Sequence, residues 1–224
     1  MNATALLHLL QLASPALPVG AYSYSQGLET AIEGGRVTCP GSAERYLVRQ
    51  LGDVQAPWDG AVFWRLLAAC ATGDTAAFAQ WNARYLASRD GAELRAETVQ
   101  MGFSLTRLLI ELDLLPPAVP GNTAADTCFP AALAQAVHAL RVPHEEALLA
   151  LLFSWAENQV LVCVKSIPLG QVAGQRLLLA LHPAIEDAAV QARTLLDDEL
   201  SSWAPGLARL SMAHEVQSGR LYRS

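Results

Sequence analysis

Lysine is almost absent from this chain of 224 residues: Lys165 is the only one, and arginine supplies nearly all the other cations. Charge of either sign is scarce, 16% of residues against about a quarter in ordinary soluble domains. The net charge of −6 leaves no basic face for nucleic-acid phosphates. Cys39, Cys70, Cys128 and Cys163 stand far apart, with no CxxC pair, a usage that suits reduced thiols in a cytoplasm. The longest apolar run, Ala147 to Ala156, is far short of the roughly 20 residues of a membrane span. No basic residues precede Ala5–Leu12, so no signal peptide is expected. Catalytic signatures are missing too. No Gly-Lys pair exists, which excludes a phosphate-binding loop, and neither GxSxG nor SxxK occurs. His144-Glu145-Glu146 and His214-Glu215 begin like zinc-protease motifs, but no second histidine follows at the required spacing. The sequence therefore nominates no catalytic residue and no metal ligand.

What the chain has in excess is apolar surface, 52% of residues, with a mean hydropathy of +0.25. Either a large helical core absorbs it, or a partner covers part of it; the scarcity of surface charge favours the second. Leu6, Leu9, Leu10 and Ala13 recur at helical spacing and predict an opening helix that stops at Ser14-Pro15. A short helix ends at Gly34-Gly35. Ser42, Asp59 and Asp74 read as N-caps of helices near 43–55, 60–72 and 75–88. Asp90 and Glu93 have capping-box spacing before a helix with a Met101, Leu105, Leu108, Leu112 stripe and a far face of Arg95, Glu97 and Arg107. The stretch from Leu115 to Gly121 breaks the chain, read as a loop inside one domain. Pro143 opens a helix that reaches about Lys165 and is apolar nearly all round, followed by helices near 169–181 and 184–200. The expected fold is all-α, a single-domain bundle of roughly ten helices over 1–224, with 212–224 as a tail.

Three segments stand out. The loop SPALPVGAYSYSQGLE, residues 14–29, carries two prolines, Gly20, Tyr22 and Tyr24; it reads as a helix connection or as a rigid aromatic recognition surface. Around KSIPLGQVAGQ, residues 165–175, Asn158, Val162 and Lys165 share one helix face, and Gly170 and Gly174 lie one turn apart, where another backbone approaches closely. That pattern serves internal packing or a polar interface. The terminal HEVQSGRLYRS, residues 214–224, reads as a fraying end or as an anchor, since two arginines flank Leu221-Tyr222.

Together with ELRAETVQMG at 93–102, these segments resemble the UreF family of urease accessory proteins in order and spacing along essentially the whole chain. The resemblance implies an all-α cytoplasmic protein without catalysis of its own. It implies a homodimer that binds UreD (UreH in some organisms), recruits the GTPase UreG and docks on apo-urease for nickel insertion. No cofactor is then held tightly by this chain: nickel is handled by the complex and GTP by UreG. Pro18, Gly20, Tyr22, Ser23 and Glu29 match the N-terminal motif. Lys165, Pro168, Gly170 and Gln171 match the central one. His214, Glu215, Gln217, Arg220, Tyr222, Arg223 and Ser224 match the tail, which the family uses for its UreD-type partner. The chain departs from the family at Ser218-Gly219, where tyrosine-serine is usual, at Tyr222 in place of phenylalanine, and at Ala134 in place of glycine. Two other roles compete with the scaffold: a regulator of UreG that offers Arg220 or Arg223 as an arginine finger, and a nickel carrier.

Overall fold

The computed structural model describes residues 1–116 and 127–224. It is helical throughout, and no strand occurs among the described residues. In chain order the helices are α1 (Ala3–Leu12), α2 (Leu28–Glu33), α3 (Pro40–Gln50), α4 (Ala61–Thr72), α5 (Thr75–Ala87) and α6 (Ala92–Glu111). After these come α7 (Phe129–Ala139), α8 (His144–Ser166), α9 (Gln171–Ala180), α10 (His182–Thr194) and α11 (Pro205–His214). The expected all-α class with roughly ten helices is what the chain adopts.

Local chemistry explains several boundaries. Asn2 accepts from the Ala5 amide to start α1, and Asp74 accepts from the Ala77 amide at 2.9 Å to start α5 as expected. Ser42 does not cap. Cys39 is the N-cap, Pro40 opens α3, and the Ser42 hydroxyl reaches back to the Cys39 amide at 3.0 Å. Asp59 is not a cap either, because α3 and α4 are continuous through a π-helical segment, Leu51–Gly60, with Pro57 inside it. Proline has no amide to donate and crowds the preceding turn. The wider π turn accommodates it and directs Gln55 and Asp59 into the protein, where both are buried.

The helix α8 runs through the middle and packs against α10, α9, α2, α3, α4 and α1. It is long and apolar enough to cross a membrane by length and composition, at a mean hydropathy of 1.7, yet half of that window is buried within the fold. Glu145 and Glu146 in its first turn and Lys165 in its last complement the helix dipole. Pro143 is its N-cap rather than its first residue. Phe63, Leu66, Leu67, Leu105, Leu109, Leu148 and Leu152 form the fully buried centre.

Other expectations need correction. On α6 the buried stripe is Met101, Leu105 and Leu109; Leu112 is exposed, and Glu97, expected on the solvent face, is buried. A Cβ at Gly102 would run into the Thr127 carbonyl, so close approach of α6 to the segment entering α7 needs that glycine. Gly174 packs against Val164 and Val160 of α8, whereas Gly170 has nothing near it. The α10 helix ends at Thr194, and α11 was not expected at all. Most of the expected loop between Leu115 and Gly121 lies outside the described residues.

Candidate functional site

The N-terminal loop is fixed by polar ties to the middle of α8. Tyr22 donates to Glu157 Oε2 at 2.9 Å, Asn158 Nδ2 donates to the Tyr24 carbonyl at 2.8 Å, and Trp155 Nε1 donates to Gln26 Oε1 at 2.8 Å. Gly20 turns the chain with φ +78°, and Gly27, at the same φ, sits against Leu210 and Ser211 of α11. The loop is thereby held between the central helix and the last one.

The tail folds back onto this loop. The Arg223 amide donates to the Ser23 carbonyl at 2.8 Å, and the Ser25 amide donates to the Ser224 carbonyl at 2.7 Å. The Ser25 hydroxyl donates to the same Ser224 oxygen. Glu29, on α2, gathers the rest: its Oε1 accepts from the Leu221 amide at 2.7 Å and its Oε2 from the Tyr222 amide at 3.2 Å. His214 is fully buried between two carboxylates, with Nε2 3.0 Å from Glu29 Oε2 and Nδ1 2.7 Å from Glu93 Oε2. Arg220 pairs with the other oxygen of Glu93. Thr30 donates to Gln217 Oε1 at 2.8 Å, and the Ser224 hydroxyl donates to Glu97 Oε2 at 3.0 Å.

Glu215 closes the arrangement from the other side. Its Oε1 accepts from the Ala92 amide at 2.9 Å and from the Glu93 amide at 3.4 Å, so it caps the start of α6. The expected Asp90–Glu93 capping box is absent: Gly91 is the N-cap and makes no side-chain cap bond, and the carboxylate comes from the tail instead.

Burial sets the titration of this region. Glu97, which accepts from Gln26 Nε2 at 2.6 Å as well as from Ser224, has its carboxyl pushed up to about 7 by burial, against the downward pull of those two hydrogen bonds. The Tyr222 phenol is pushed up to about 12, chiefly by burial, with the Glu29 charge adding to it. Burial and the hydrogen bond to Glu157 likewise raise Tyr22.

The structure thus brings Tyr22, Ser23, Glu29, His214, Glu215, Gln217, Arg220, Tyr222, Arg223 and Ser224 into one neighbourhood. Lys165 joins it, with Nζ 5.6 Å from the centre of the Tyr222 ring. Pro18 and Gly20 are exposed on the loop, and Pro168, Gly170 and Gln171 are exposed between α8 and the first turn of α9. Glu29, His214, Tyr222 and Ser224 are buried by the chain itself and hold the tail, while Arg220, Leu221 and Arg223 are exposed. Sequence reasoning did not assign Ser25, Gln26, Thr30, Glu93 or Glu97. One signal was available: Glu93 and Glu97 are four apart and share a helix face, two carboxylates awaiting partners. Among the described residues, no group of three histidine, cysteine or carboxylate side chains is arranged to hold a metal ion.

Comparison with known proteins fits this geometry to a family. The UreF family model matches residues 37–182. A urease accessory protein UreF from Janthinobacterium sp. is 58% identical over 226 aligned residues, covering all of both chains. Proteins of the same name from Nitrosospira multiformis and Azoarcus sp. are 56% and 50% identical, covering 98% of this chain and 98% and 95% of their own. With a family model across more than half of its length and full-length relatives at this identity, the chain belongs to the UreF family of urease accessory proteins.

Proposed function

We propose that this chain is a non-catalytic scaffold of urease maturation. With a UreD/UreH-type partner and the GTPase UreG, it supports nickel insertion into apo-urease. In this reading nickel is the cargo of the complex, GTP belongs to UreG, and the chain works as a homodimer in the cytoplasm without a cofactor of its own. The observation that carries the reading is the docked tail. Arg220, Leu221 and Arg223 are displayed on a backbone fixed by Glu29, Ser23 and Ser25, so the binding surface is formed before a partner arrives. A preformed surface avoids the ordering cost that a frayed terminus would incur on binding.

The test separates holding from touching. Arg223→Ala combined with Leu221→Asp changes exposed side chains and, within the chain, costs only the contact of the Arg223 guanidinium with Tyr24. It should leave the melting temperature nearly unchanged and abolish co-purification with the UreD-type partner. Retained co-purification sinks the assignment of this surface. Deletion of the last ten residues is a blunter version, because it also removes the Glu215 cap on α6. The alternative reading, regulation of UreG GTPase activity, rests on the exposure of Arg223. Stimulation of GTP turnover by the wild-type chain, lost in Arg223→Ala while the complex still forms, would favour it.

A further inference from the structure

The linker between α10 and α11, residues 195–204, leaves a tryptophan unburied. Trp203 is 82% exposed, and Leu196 on the same linker is 64% exposed. The other tryptophans are placed differently: Trp58 and Trp81 lie in the core, and Trp64 and Trp155 pack against it.

This linker is fastened along its length. Arg65 of α4 donates to the Ala192 carbonyl at 3.2 Å, to the Leu195 carbonyl, and through Nε to Asp197 Oδ1 at 2.9 Å. The Leu196 amide donates to Glu199 Oε2 at 2.7 Å, and the Glu199 amide donates back to the Leu196 carbonyl at 3.1 Å. The Ser201 amide donates to the carbonyl of Pro57 in the π-helical segment at 3.3 Å. Pro57 and Arg65 lie about 12 Å apart along that continuous helix, so the linker is laid over it between two fixed points. Trp203 follows just after the second, with its own amide tied to Ser201 Oγ at 3.2 Å.

The linker is also acidic. Asp197, Asp198 and Glu199 are consecutive and exposed. Arg65 neutralises Asp197, whereas Asp198 and Glu199 have no ion-pair partner among the described residues. That charge limits what covers the two apolar side chains. Membrane surfaces and nucleic acids are anionic and would be repelled. A second copy joined about a two-fold axis would set the same carboxylates against each other, in a chain of net charge −6. A cationic protein surface meets neither obstacle.

We propose that this linker is a preformed docking loop for a partner protein, on which Trp203 and Leu196 enter an apolar pocket rimmed by arginine or lysine. Tryptophan is among the side chains that dominate binding energy when a partner desolvates them. Opposite charge at the rim speeds encounter and fixes orientation. Because the backbone is already tied to Arg65 and Pro57, docking has little chain left to order. The loop uses none of the tail residues, and the inference rests on the scaffold reading only for the choice of proteins to test.

The test uses the full-length chain against the purified UreD/UreH-type partner, UreG and apo-urease from the same source, each by biolayer interferometry. Trp203→Ala should bind one of the three about tenfold more weakly or worse, with an unchanged melting temperature because the side chain is exposed. Asp198→Lys should slow association with that same protein severalfold at about 50 mM salt, and much less at about 500 mM, where charges are screened. If Trp203→Ala lowers the melting temperature, Leu196→Ser is read in its place, with a loss of severalfold expected. Undiminished binding of the folded variant to all three overturns the docking loop and leaves the scaffold reading standing; a wild-type chain that binds none of them overturns both. Two further results also overturn the proposal: Asp198→Lys associating as fast as the wild type at low salt, or Trp203→Ala losing self-association instead, which makes the linker a contact between copies.

Discussion

Two polar clusters in this protein, one reaching the surface at Arg220 and one buried, are built from similar residues and reach opposite ends. The tail cluster, Glu29, Glu93, His214 and Arg220, leaves no orphan among its own side-chain atoms: each carboxylate oxygen and each imidazole nitrogen has a partner. The cluster of Asp59, Tyr85 and Arg89 leaves Asp59 Oδ2 and Arg89 Nε without one. The first is assembled from α2, α6, α11 and the tail, and its hydrogen bonds specify one register for the chain end. The second joins Asp59 of the π-helical segment to Tyr85 of α5 and to Arg89 just beyond it, and part of its bonding capacity is unused. The contrast is local: the carboxylates that hold the tail are fully engaged, although the Tyr222 and Ser211 hydroxyls beside them are not, whereas the Asp59 carboxylate itself is only half used.

Four substitutions separate the two cases. The largest effect should come from Glu29→Ala, which strips His214 of one carboxylate and two tail amides of their acceptor. Each buried group left without its partner costs about 1–3 kcal/mol, and three groups lose theirs here. Denaturant melts should show that loss, and limited proteolysis should cut between Gly219 and Arg223 in the variant alone.

Next is the pH response of Glu97. Its folded-state carboxyl, at about 7, lies above its unfolded value, so the folded form holds the proton more tightly. That contribution is fully present below about pH 4.5 and is lost as pH rises through 7, amounting to up to about 3 kcal/mol. Glu97→Gln should flatten this part of the stability profile between pH 4.5 and 7.5. An unchanged difference between the two proteins across that window would contradict the burial argument.

Tyr85→Phe removes one donor from Asp59 Oδ1 and should cost about 1–2 kcal/mol. Because Arg89 still holds the carboxylate, the variant should remain folded at ambient temperature. Arg220→Ala should be the mildest. Its side chain is 37% exposed, and a solvent-screened pair contributes less than about 1 kcal/mol. A melting temperature lowered by more than the Tyr85→Phe change would reverse this order and show that Arg220 is needed to close the tail.

Legibility followed the range of the interaction. Asp74 was readable as a cap because its acceptor and the amide it meets are three residues apart. Asp59 carried the same local signature and proved to be a core residue, since its partners lie 26 and 30 residues away, on α5 and just beyond its end. The α11 helix hid behind Pro205-Gly206, which reads as a loop although proline suits a first turn. Glu97 resembled a solvent-facing residue until the tail, 127 residues later, supplied Ser224. Composition and periodicity conveyed the all-α class, and the four motifs conveyed the family. The pairing of N-terminal loop with tail was beyond any local pattern.

That pairing also has a timetable. Ser25 and Ser224, joined twice by hydrogen bonds, are 199 residues apart. At about 5–20 residues per second, a ribosome delivers the second roughly 10–40 s after the first. For most of that interval Glu29, and later Glu93, are without His214, and the first turn of α6, once made, is without the Glu215 cap. Each newly made copy therefore passes through a stage in which the N-terminal loop has no tail to pair with, and the arrangement of loop, α2 and α6 around residues 214–224 closes only after those residues are made.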